Sequence, residues 1–224
     1  MEIEKQHYLW QRRTIALAIF LLAPLSVLFG LIGIDTNPAG WWHSISDTYY
    51  SSSVFIMMWC ISISSFFFIT YKGYDIRDRI VNIITGIGLM FVLIFPCENQ
   101  GIYEMGKTIP YFSKVGLFQL PMSVSHIFHA IGAATAFIMM SINVTFLFTL
   151  GRDEITKQKK VRNIIYRVCG ITIALSLAGI VVMIVCPVFA PVDNFIWIAE
   201  LIILTACSLA WLVKSEALKF LNDK

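Results

Sequence analysis

The chain has 224 residues, 58% of them hydrophobic and 14% charged, with a formal net charge of +3 and a mean hydropathy of +0.75. So few polar side chains could not cover a globule of this size, which excludes a water-soluble domain and makes lipid the solvent. The small positive charge needs no nucleic-acid partner, because it gathers in segments that would lie against anionic lipid headgroups.

Crossing about 30 Å of hydrocarbon takes roughly 20 residues of helix. Apolar runs at about 14–34, 51–71, 80–95, 123–149, 164–186 and 192–213 predict six such helices in one integral membrane domain, 1–224. The fold class is all-α, since lipid offers no partner to backbone N–H and C=O groups. All Lys and Arg except Lys107 and Lys114 fall in the N-terminal tail, the second and fourth connections with the adjoining helix starts, and the C-terminal tail. By the positive-inside rule both termini are then cytoplasmic, and the segments around His43, Glu98 and Asp193 face outward from the cell membrane. The first run follows Arg12 and Arg13 without a small-x-small cleavage site before Asp35, so a retained anchor is expected.

After helix 1, Asn37-Pro38-Ala39-Gly40 turns the chain, and Trp41 and Trp42 sit where an interfacial aromatic belt would. The next residues, His43 to Tyr50, are polar and aromatic between two apolar runs and form the lip of a candidate site. If helix begins at Trp42, His43 and Asp47 share a face with Tyr50 beside them; equally, Ser44 or Ser46 could cap and Asp47 could favour the positive helix end. The serines of helix 2 are expected to serve packing. The turn from Lys72 to Arg79 is read as topological. Pro96 ends or kinks helix 3 and delivers Cys97 and Glu98 to the outer surface. The connection 96–122 is too apolar for a free linker and is expected to lie on the outer interface as a lid.

Helix 4 opens with His126 and His129, three apart and therefore on one side, followed by the small residues Gly132, Ala133, Ala134 and Ala136. Helix 5 is expected to pack through Gly170, Ala174, Ala178 and Gly179, and helix 6 carries Glu200 about 10 Å below Asp193, level with His129. Cys97 and Cys186 both end outward-going helices, where an oxidising compartment would allow them to pair.

Ser44-Ile45-Ser46 with Tyr49-Tyr50, Tyr71-Lys72-Gly73-Tyr74, Phe95-Pro96-Cys97, and His126 with His129 together resemble a bacterial integral-membrane family catalogued only as a domain of unknown function. The likeness covers helices 1 to 4 best and implies a six-helix fold without an assigned activity. A fainter likeness is to the superfamily of alkaline ceramidases and adiponectin-receptor-like hydrolases, in which intramembrane His and Asp hold zinc. Those resemble seven-helix bundles with His residues four apart near the C-terminus, whereas His126 and His129 are three apart and on the fourth helix.

Ionisable groups at one depth inside a membrane are costly unless paired or coordinating, so His43, Ser46, Asp47, Tyr50, Glu98, His126, His129 and Glu200 form the candidate ligand-binding set. Three outcomes stay open. His43, His126, His129 and Glu200 match a catalytic zinc set with room for an activated water, as a lipid hydrolase would need. The same groups could line a pocket for a lipid or other amphiphilic molecule, as a binding protein, sensor or transport component. They could also satisfy one another as structure alone. A Gly-rich phosphate loop, a Gly-x-Ser-x-Gly elbow and a Cys-x-x-Cys pair are all missing from the sequence, which removes the nucleotide, serine-hydrolase and thiol-relay readings.

Overall fold

A computed structural model describes residues 2–32, 43–98, 113–150, 156–186 and 194–223. Within them run six long helices: α1 (Glu2–Ile32), α2 (Val54–Thr70), α3 (Ile76–Ile94), α4 (Met122–Ile142), α5 (Lys157–Val185) and α6 (Phe195–Lys214). The described residues are helical apart from connections and a small hairpin, β1 (Lys114–Val115) with β2 (Leu120–Pro121). Consecutive helices are neighbours and α6 returns to α1, so the bundle closes as a ring.

Four helices contain stretches long and apolar enough to cross a membrane: Gln6–Gly30, Met122–Leu147, Lys157–Val185 and Phe195–Lys214. The other two expected spans are helical but differ. Helix α2 has 17 residues, and α3 spends its first turn on Arg77, Asp78 and Arg79. Three helices start earlier than their apolar runs, at Glu2, Ile76 and Lys157, because Lys, Arg, Glu and Gln are good helix formers and extend the helix beyond the apolar stretch. Large apolar side chains such as Phe55, Trp59, Phe66, Ile164, Leu175 and Val182 are exposed. This is the inverse of a water-soluble surface and the expected one for lipid contact.

The helices meet where their side chains are small. A Cβ on Gly88 would stand 2.7 Å from the Gly132 carbonyl, and one on Gly132 would stand 2.7 Å from the Gly88 carbonyl, so α3 and α4 cross backbone to backbone with Ala136 buried beside them. Ser65 donates across to the Gly86 carbonyl of α3 at 2.8 Å, while Ser64 bonds back to Cys60. Helix α4 continues as one π-helical turn, Asn143–Leu147, where Thr145 presses on Gly170 of α5. Of the four small residues expected to pack α5, Gly170 and Gly179 face neighbours, whereas Ala174 and Ala178 are exposed.

Antiparallel succession brings the basic segments together at one end. Arg12 Nε donates to the Tyr71 hydroxyl at 3.1 Å and Nη1 to the Lys214 carbonyl at 3.0 Å, tying the third turn of α1 to the ends of α2 and α6. Trp211, fully buried, is met edge-on by Phe68, Tyr71 and Phe148. The turn between α2 and α3 places Gly73 at φ +69 and lets Asp75 cap α3 through Asp78 N–H.

Candidate functional site

At the opposite end the segment before α2 is a 3-10 turn, Ile45–Tyr50, with its first four residues buried. His43 and Ser44 stand outside it, as bend residues. Ser44 is the N-cap: its hydroxyl accepts from Asp47 N–H at 3.2 Å and the Asp47 carboxylate accepts from Ser44 N–H at 3.1 Å, a reciprocal capping box. His43 therefore precedes the turn, and the shared helical face expected for His43 and Asp47 does not form. His43 instead accepts from Trp197 N–H through its carbonyl at 3.0 Å, and its ring lies near enough to Asp47 to favour that carboxylate's charged form.

This turn is a wedge on which several helices converge. From α6, Glu200 Oε2 accepts the Ile45 N–H at 2.6 Å. From α4, His129 contacts the adjacent residue, with Nε2 and the Ser46 hydroxyl 3.0 Å apart. The other His129 nitrogen lies 2.8 Å from the Phe95 carbonyl, which can only accept. The ring is thus the Nδ1–H tautomer, and Nε2 takes the Ser46 proton donor. From the end of α3, the Cys97 thiol donates to Asp47 Oδ1 at 3.5 Å, and its carbonyl accepts from the Tyr50 hydroxyl at 2.7 Å. Ser125 donates to the Pro96 carbonyl at 2.8 Å, and His126 Nδ1 accepts the Glu98 N–H at 3.0 Å. Both histidines of α4 thereby cap the unravelled end of α3, where Pro96 interrupts the helical bonding pattern.

The chemistry of the wedge is acidic. Burial pushes the Asp47 carboxyl above its ordinary range, against the hydrogen bond from Ser44 that opposes it. Burial, and then the neighbouring Asp47, hold the Cys97 thiol well above the usual thiol range, so Cys97 is a hydrogen-bond donor and not a thiolate nucleophile. Burial likewise keeps Tyr50 a phenol.

Two expectations are corrected here. Among the described residues no group of three or more His, Cys, Asp and Glu side chains is placed to hold a metal. His43, His126, His129 and Glu200 do not assemble as a zinc set, because His129 spends both nitrogens on protein partners, His126 turns Nδ1 to Glu98 N–H, and Glu200 is drawn to the 3-10 turn. Cys97 and Cys186 are both free thiols, one buried under Asp47 and the other exposed. Glu98 enters through its backbone N–H. Trp41, Trp42, Asp193 and the stretch 99–112 of the expected lid lie outside the described residues; the remaining hairpin of that connection stacks Phe118 on Phe95, with ring centres 5.7 Å apart.

A second polar group went unforeseen. Asn143 donates to Asn82 Oδ1 at 2.8 Å, and Asn82 donates to the Asp78 carboxylate at 2.7 Å, a buried chain entering from the basic end. Two amides inside apolar runs are the signal that would have found it. Comparison with family models, with curated proteins and with solved structures finds no match to this chain.

Proposed function

We propose that the chain is a six-span protein of the cell membrane, with both termini cytoplasmic, that binds an amphiphile through the wedge on its outward side. Support for six spans comes from the ring: α2 and α3 fill adjacent places between α1 and α4 and expose Phe55, Trp59, Phe66, Ile87 and Met90 as the longer helices do. Support for the orientation comes from the collection of Lys and Arg at the other end.

The observation that carries the ligand assignment is Glu200. Its carboxylate sits in an apolar helix, half-buried, with one oxygen on the Ile45 N–H. Asp47 stands two residues away on the same turn, and none of the side chains bonded in the wedge is Lys or Arg. Two carboxyl groups bonded into a wedge without Lys or Arg favour a ligand whose polar end donates protons or carries positive charge, with its chain in lipid. His129 and Ser46 position the turn; Tyr50 and His126 fix the end of α3 against it.

Dodecylamine titrated into the purified protein in nonionic detergent tests this. Saturable binding should weaken about tenfold or more in Glu200→Gln, the scale of one charge-assisted hydrogen bond, while dodecanoate should not bind. Equal dodecylamine affinity for wild type and Glu200→Gln would refute the assignment. The chain Asp78–Asn82–Asn143 favours a second reading, a transport or sensing component, because it carries polar groups into the bundle from the opposite side and ends on Asn143 Oδ1, buried without a partner.

A further inference from the structure

The basic end of the bundle contains a cavity of about 640 Å³, lined among others by Tyr74, Lys159, Arg162, Tyr166, Lys214 and Asp223. Lys214 is its base. The ammonium donates to the Phe148 carbonyl at 3.2 Å and lies 4.7 Å from the Tyr74 ring centre, 5.0 Å from Phe148 and 5.7 Å from Tyr166. Rings hold a cation by their faces, and of the three N–H donors of the ammonium the Phe148 carbonyl takes one. Arg12, bonded to the Lys214 carbonyl, adds a second positive charge behind it.

Arg162 forms the wall. Its Nη1 donates to the Leu221 carbonyl at 2.6 Å and its Nη2 to Asp223 Oδ2 at 2.7 Å. The Thr156 hydroxyl donates to the other Asp223 oxygen. A carboxylate gripped by a guanidinium and a helix-capping hydroxyl occupies the position an oxyanion would take, and it belongs to the chain's own tail. Asp75, the other aspartate at the rim, is committed to capping α3.

We propose that this cavity binds a phosphate-bearing anion, and that Asp223 holds the anion's place on Arg162 until it is displaced. A phosphate oxygen reaching Arg162 gains a forked partner, Lys159 supplies a point charge, and Lys214 offers N–H donors to the remaining oxygens. The Arg162 bond to Leu221, which is buried, keeps the tail anchored during the exchange. A lipid headgroup and free phosphate share this chemistry.

The two sources are separable with the full-length chain. Inorganic phosphate is titrated into protein in nanodiscs of phosphatidylcholine, and retained phosphatidylglycerol is counted by native mass spectrometry from nanodiscs containing it. Asp223→Asn should strengthen binding about fivefold, the scale of releasing one solvent-exposed ion pair, and Arg162→Gln should abolish it. A response confined to inorganic phosphate identifies the free ion, and one confined to phosphatidylglycerol identifies the headgroup. Lys159→Gln, which leaves both Arg162 bonds intact, should also weaken binding and so covers the event that Arg162→Gln loosens the fold. No binding of either probe by wild type and Asp223→Asn, or equal binding by Asp223→Asn and Arg162→Gln, overturns the proposal.

Discussion

His129 and Asp47 make opposite predictions about what the wedge tolerates. Replacing His129 by Ala strands the Phe95 carbonyl and the Ser46 hydroxyl, two groups in a region with little water, and should cost about 1–3 kcal/mol. Thermal unfolding in detergent measures it, and an unchanged midpoint would mean that neither bond contributes. Asp47 behaves differently because burial raises its carboxyl above the ordinary 3.8. The folded state then holds that proton more tightly than the unfolded chain does. Its contribution is present below the unfolded value and is lost as pH rises through the folded one. Wild type should therefore lose stability as pH climbs from about 4, and Asp47→Asn, which keeps an oxygen for the Ser44 N–H, should flatten that slope.

Among the elements, the 3-10 turn and the α3–α4 crossing depend on different physics. Ser44→Ala removes half of the capping box and should destabilise by about 1 kcal/mol. Gly132→Ala is more severe: the new methyl would meet Phe91 Cβ at 2.5 Å and the Gly88 carbonyl at 2.7 Å, neither of which can swing aside, so a loss of about 1–3 kcal/mol is expected. A Gly132→Ala protein as heat-stable as wild type would contradict the close crossing. These two elements also show what the residues alone reveal. Gly132 and Ala136 advertise the crossing by type and spacing, and Pro96 advertises the end of α3. The 3-10 turn is hidden, because Ser44 and Asp47 at N-cap and N3 read alike for either kind of helix. That His129 would choose Ser46 over Glu200 depends on the packing of three helices, to which spacing along one chain is blind.

For the molecule as a whole, the two ends differ in charge, and a membrane-impermeant maleimide reads that difference. Added to intact cells, it should label the exposed Cys186 and spare the buried Cys97. In a Cys186→Ser background, Lys160→Cys should label only after the membrane is opened, and the reverse pattern would invert the topology. This polarity was legible because Lys and Arg cluster so unevenly. The cage of Tyr74, Phe148 and Tyr166 around Lys214 was not, since its members come from segments far apart in sequence and each aromatic passes for an interfacial anchor. Helix α6 takes part at both ends, with Glu200 on the Ile45 N–H and the Lys214 carbonyl on Arg12. During synthesis α6 emerges after the other five helices. Until it inserts, Ile45 and Arg12 each lack the acceptor that α6 brings, and a stalled chain ending before residue 195 exposes polar groups near both ends. Completion of α6 supplies both acceptors, one at each end of the bundle, in a single event.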